Sequence, residues 1–228
     1  MKTIRRQISR ILCVALAVAC MISLLSCSVM DKVTGMFKKG EDESVKVAAI
    51  GEIVKNAKPT RVTTFVDYTV GEQTLKGRYT TEYDRTNNTG KFVFSYQRIA
   101  LPGESIGTSS VETLEGTVFM KNGEFSYDEC ETWQGGGNGY LEFSLDISAE
   151  KLASYTLSTD GKTLTAKVAA SDAKRVFGTA IAAEGEIDLV VVTSETDLYN
   201  VSIKYTTTTG ASVSIETSYE SLNITLDA

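Results

Sequence analysis

The sequence predicts an α+β fold. It reads as one large curled antiparallel sheet of about eleven strands, a half-barrel, wrapping an N-terminal amphipathic helix and a short second helix. Three observations carry this expectation. Apolar residues recur at helical spacing over a short stretch after residue 43. From Thr60 onward the apolar period becomes two and stays there for most of the chain. The alternating runs are divided by Asn-Gly, Asp-Gly and Gly-Glu pairs, which connect neighbouring antiparallel strands.

The first 26 residues stand apart from this fold. Lys2, Arg5, Arg6 and Arg10 form a basic head without an acid, and Ile11–Leu25 is apolar except for Ser23. Fifteen helical residues span roughly 22 Å, short of the ~30 Å hydrocarbon core, so the pattern is an export signal rather than a permanent span. It ends in Leu24-Leu25-Ser26-Cys27, which resembles a bacterial lipobox with Cys27 as the lipidated first residue of the mature chain. Leu25 departs from the small or β-branched residue usual there. Each buried acyl CH₂ contributes about 0.8 kcal/mol, so several chains would anchor the protein to the extracytoplasmic face of a bacterial membrane. Cleavage removes four cations and no acids, taking the net charge from −6 to −10. Cys13 and Cys20 leave with the signal and Cys27 is used by lipid, so Cys130 has no partner for an intramolecular disulfide.

Residues 27–43 read as the lipidated cysteine and a tether, and residues 44–228 as a single β-rich domain. Ser44–Lys58 is the amphipathic helix, with Val47, Ile50, Ile53, Val54 and Ala57 on one face and Pro59 as its stop. Three meander strands follow, around Val62–Val70, Leu75–Tyr83 and Phe92–Tyr96. Residues 101–115 form a loop, and Asn122-Gly123 turns the hairpin Thr117–Asp128. Gly135–Gly139 is a flexible loop, Tyr140–Asp146 a strand, and Ser148–Ala153 one helical turn. A hairpin turns at Asp160-Gly161, and Ser171–Ala182 is the short second helix. Strands near 185–193, 198–206 and 211–220 close the domain, with an extended tail to Leu226. All connections are expected to be local.

The composition narrows the chemistry. There is no histidine, which excludes Ser-His-Asp and Cys-His nucleophiles and His-ligated metals. The acidic balance argues against nucleic acid, which needs cations opposite phosphates. Ser148-Ala-Glu-Lys151 and Ser171-Asp-Ala-Lys174 match S-x-x-K, but helix capping by serine explains both more simply. Asp128, Glu129 and Glu131 surround Cys130 and raise rather than lower a thiol pKa. Trp133 before the glycine loop reads as a core plug, and Asn200-Val-Ser202 and Asn223-Ile-Thr225 as chance acceptor sequences. The expectation is a protein that is not an enzyme and holds neither a cofactor nor a metal.

The order of elements is that of a known group. A lipidated cysteine, tether, amphipathic helix, long meander and short helix before the last three strands resemble the bacterial lipoprotein-carrier fold of LolA, LolB and LppX/LprG. The resemblance rests on Ala48-Ala-Ile-Gly-Glu-Ile-Val54 leading into Thr63-Thr-Phe65, and on Tyr199–Tyr205 followed by Val213–Thr217. It implies a half-barrel whose concave face wraps helices and takes acyl chains or another apolar ligand. No motif carries that group's ligand residues over. The large apolar residues on single strand faces are the candidates for ligand contact: Phe92, Phe94, Tyr96, Leu141, Phe143 and Leu145. The competing expectation is a non-enzymatic surface module for protein or glycan contact.

Overall fold

The computed structural model describes residues 42–99, 111–127, 132, 134–135 and 145–226. The lipobox with Cys27, the expected tether as far as residue 41, Cys130, Trp133, Leu141 and Phe143 lie outside them, whereas Asp42 and Glu43, expected to end the tether, cap and begin the first helix.

Helix α1 is Glu43–Asn56. It begins where the Asp42 carboxylate accepts the Ser44 N–H at 3.1 Å, which satisfies one of the donors a helix start leaves free. Eleven strands follow: β1 Arg61–Val70, β2 Gln73–Asp84, β3 Thr89–Ile99, β4 Val111–Lys121, β5 Glu124–Ser126 and β6 Gln134–Gly135. After them come β7 Ser154–Leu157, β8 Thr163–Ala169, β9 Glu186–Thr193, β10 Leu198–Thr206 and β11 Ser212–Glu220. All pairings are antiparallel, and the two-residue β6 is marginal, so ten strands carry the sheet. The sheet is curled and unclosed, with β6 and β7 at its two edges.

Its order differs from a simple meander. The strands run β6-β5-β4-β3-β2-β1-β11-β10-β9-β8-β7, so the first and last strands of the domain lie side by side in the middle. Arg61 faces Glu220 and Thr69 faces Ser212 across that seam. The expectation that all connections are local therefore fails once, between β6 and β7, which follow each other in the chain but lie at opposite edges of the sheet.

The core sits on one face of β1 and β8–β11, under α1 and the segment 145–152. Val47, Ile50 and Val54 of the helix meet Val62, Leu164, Leu189, Val201, Ile203 and Ile215 of the sheet. The strands alternate buried and exposed residues, as a half-covered sheet must. Gly51 lets α1 approach closely, because a Cβ there would stand 2.3 Å from the Ile147 carbonyl oxygen.

Several expectations need correction. The second helix is not Ser171–Ala182. A 3₁₀ turn, Ala170–Asp172, leads into α2, Ala173–Phe177, and Gly178 at φ +70° ends it. Left-handed glycine is a common helix stop. The part of the expected strand Tyr140–Asp146 that is described is not strand: the Asp146 N–H donates to the Val176 carbonyl instead of a ladder. β4 starts six residues before the expected Thr117, because it pairs with β3 as far as Val111 opposite Ile99. The tail after Glu220 is irregular.

Candidate functional site

Registers decide which side chains share the core-bearing face, because directly paired residues point the same way. Val62 pairs with Thr81, which pairs with Phe92, which pairs with Val118. The next row is Thr64, Tyr79, Phe94 and Gly116, and the row after it is Val66, Gly77, Tyr96 and Leu114. Phe92, Phe94 and Tyr96 therefore lie on the same face as the core, on the half of the sheet away from β8–β10.

There they form a ladder with Tyr79. Tyr79 and Phe92 stack at 6.2 Å and 10°, Phe92 and Phe94 are 5.9 Å apart, and Phe94 and Tyr96 are 6.0 Å apart. Glycines lie beneath the rings. A Cβ at Gly116 would stand 2.5 Å from the Phe94 ring, and one at Gly77 would stand 2.9 Å from the Tyr79 ring. The rings thus lie down over bare backbone and make a continuous apolar floor, as aromatic residues often do opposite strand glycines. Burial pushes the Tyr79 phenol up to about 12 and raises that of Tyr96 as well, so both stay neutral.

The floor has two unlike ends. The buried Val118 lies beside Phe92, and the buried Met120 lies one row beyond it. Two residues past Tyr96 on the same face, Arg98 donates through Nη2 to Glu112 at 2.6 Å. The ladder thus runs from an apolar end to a charged one.

The ladder is not part of the main core. Phe92, Phe94 and Tyr96 are half-buried, and none belongs to the packed cluster around α1. Leu145 has the opposite placement: it is buried in that cluster, outside any strand, so the structure does not bring it to the ladder. Tyr79, Gly77, Gly116 and the Arg98–Glu112 pair belong to the site and were not singled out from sequence. Their only sequence signal is the alternation of β2 and β4, which gives a face only once the register is known.

The S-x-x-K serines are engaged otherwise. Ser148 precedes a 3₁₀ turn, Ala149–Lys151, but its hydroxyl donates to Glu150 Oε1 at 2.6 Å rather than capping the backbone. Lys151 is paired with Asp146. Ser171 lies within the 3₁₀ turn Ala170–Asp172 and is exposed. Simple N-capping thus explains neither serine. Among the described residues no group of three or more potential metal ligands comes together.

A second concavity lies at the end of the sheet. An open groove of about 440 Å³ is bounded by the β2–β3 turn and the tail after β11, with Tyr83, Arg85, Asn87, Leu222, Asn223 and Thr225 among its lining.

No family model matches the chain, and no curated protein does. Some solved structures are weakly similar. One is a LolA superfamily protein from Nitrosomonas europaea. It is 10% identical, with 79% of this chain and 94% of that one covered at a TM-score of 0.32. A dehydratase domain from the CurK module of curacin polyketide synthase is 14% identical, with 76% and 78% covered at a TM-score of 0.19. A bifunctional dehydratase-cyclase domain in ambruticin biosynthesis is 10% identical, with 90% and 86% covered at a TM-score of 0.19. Likenesses this distant do not bear on what the chain does.

Proposed function

We propose that the protein is an extracytoplasmic bacterial lipoprotein, anchored through an acylated Cys27, that holds an acyl chain or similar apolar ligand on the aromatic ladder. One observation carries the ligand reading: three half-buried aromatic rings, continued by the buried Tyr79, form a floor on the core-bearing face outside the cluster around α1. A contiguous row of half-buried rings beside the core, rather than within it, is an apolar surface that a ligand can cover. The unlike ends orient the ligand, with its tail toward Val118 and Met120 and its polar head toward Arg98 and Glu112. Binding is then mostly apolar contact, with few polar groups to fix direction. The anchor rests on the sequence of residues 2–27, and the mature charge of −10 keeps the domain off anionic headgroups.

Native mass spectrometry of full-length protein purified from membranes tests both parts. Wild type should carry lipid masses. Phe94→Asp should lose them while melting within a few degrees of wild type, since Phe94 is outside the core. Cys27→Ala should appear in the soluble fraction or as uncleaved precursor. No lipid on wild type, or equal lipid on Phe94→Asp, would leave a protein-interaction module as the better reading.

A further inference from the structure

The groove between the β2–β3 turn and the C-terminal tail has the chemistry of a binding site separate from the ladder. We propose that it takes a small hydroxylated carboxylate of the size of a uronic acid.

The walls are fixed relative to each other although they come from distant parts of the chain. The Leu222 N–H donates to Thr60 Oγ1 at 2.6 Å, and that hydroxyl donates back to the Leu222 carbonyl at 2.7 Å. The Leu226 N–H donates to Asp84 Oδ2 at 3.3 Å, tying the tail to the turn. A groove held this way loses little order when it is filled. Its volume of about 440 Å³ suits a small ligand.

Arg85 decides the charge of that ligand. Its Nη2 donates to the Pro59 carbonyl at 2.6 Å, and its guanidinium stands 5.7 Å from the centre of the Tyr83 ring. These contacts hold the guanidinium in place and leave most of its five donors unused. Among the described residues no carboxylate stands within ion-pair distance of it. A planar donor fork with no acid opposite it matches a carboxylate.

Asp84 also lines the groove, but its carboxylate is engaged within the protein. Its two oxygens already accept from the Thr86 and Asn87 N–H groups, the Asn87 side-chain amide and Leu226, so little acceptor capacity is left for a cation. One guanidinium on a chain of net charge −6 also selects against polyanions. Beside Tyr83, Leu222 and Ile224, the rest of the lining is Asn and Thr, with amides and hydroxyls that suit a ligand's own hydroxyls.

Titration of ¹⁵N-labelled protein, followed by amide shifts, tests the assignment. D-glucuronate should move the amides of residues 84–88 and 222–226. Neither D-glucose, which lacks the carboxylate, nor acetate, which lacks the hydroxyls, should saturate them at the same concentration. Arg85→Gln should weaken glucuronate about tenfold, as expected for one charge-assisted contact at a partly exposed site. Asn223→Ala leaves the Arg85–Pro59 bond intact and should weaken it severalfold without shifting the melting temperature. Glucose or acetate binding as well as glucuronate would overturn the proposal. So would full affinity in both variants, or shifts confined to other parts of the sheet. Loss of lipid from the ladder in these variants is not expected, so this test and the lipid test fail separately.

Discussion

Two residues show how far single atoms set this fold's tolerances. Gly51 is on the buried face of α1, where an added methyl would meet the Ile147 carbonyl at 2.3 Å. That atom is backbone and cannot rotate away, so helix or loop must shift. Gly51→Ala should cost about 2–3 kcal/mol in a urea melt, despite alanine's better helix propensity. A variant as stable as wild type would show that the two segments are not in contact. Tyr219 is the second case. It is 6% exposed and its hydroxyl has no hydrogen-bond partner. Burial pushes its phenol well above the ordinary value near 10. A raised folded-state pKa means that its contribution is fully present below about pH 10 and is lost as pH rises above it. Tyr219→Phe removes the unpaired hydroxyl. It should match or exceed wild-type stability by up to about 1 kcal/mol at neutral pH. The gap should widen in favour of phenylalanine above pH 10, which denaturation at pH 7 and pH 11 would measure.

The β2–β3 turn shows how an element depends on one side chain. Asp84 is buried and accepts bonds from the turn and from the tail. The Asn87 side chain first, then backbone N–H groups, hold its carboxyl below the usual range. A lowered folded-state pKa means that the stabilisation is present above the unfolded value near 3.9 and is lost as pH falls through the folded one. Carboxyl NMR should therefore place the Asp84 midpoint below 3.9, and Asp84→Ala should lower the melting temperature at pH 7 much more than at pH 2. Equal losses at both would mean that the carboxylate charge is not what holds the turn. Other turns were legible as chemistry: Asn122 and Gly123 both have positive φ, as a two-residue hairpin requires. The second helix was not legible, since Gly178 ends it inside a run that still reads as helical.

At the scale of the molecule, one sheet has two unequal halves. β1 and β8–β11 lie under α1 and carry the packed cluster, whereas β2–β4 contribute nothing to it and carry the ladder with a smaller buried set that includes Val118 and Met120. Local opening should follow that division. Hydrogen exchange should be slowest in β1 and β9–β11 and faster in β2–β4, and added acyl ligand should slow β2–β4 selectively. Uniform protection without ligand would contradict the division.

The sequence by itself determined the α+β class, the position of α1, the alternation of most strands and the shared face of Phe92, Phe94 and Tyr96 on β3. Each of these follows from a local period or a turn residue acting over fewer than about a dozen positions. Only the tertiary structure decided that β1 and β11 meet in the middle, since that pairing joins Arg61 to Glu220 across most of the domain and no local pattern encodes it. The same holds for the site. Phe94 finds Gly116, and Tyr79 joins Phe92, only through register, and Leu145 packs in the core cluster outside any strand, away from the ladder. A period of two tells which side chains share a face of one strand. Which strand lies beside it, and so which faces add up to a surface, is fixed by long-range pairing and by where the helix covers the sheet.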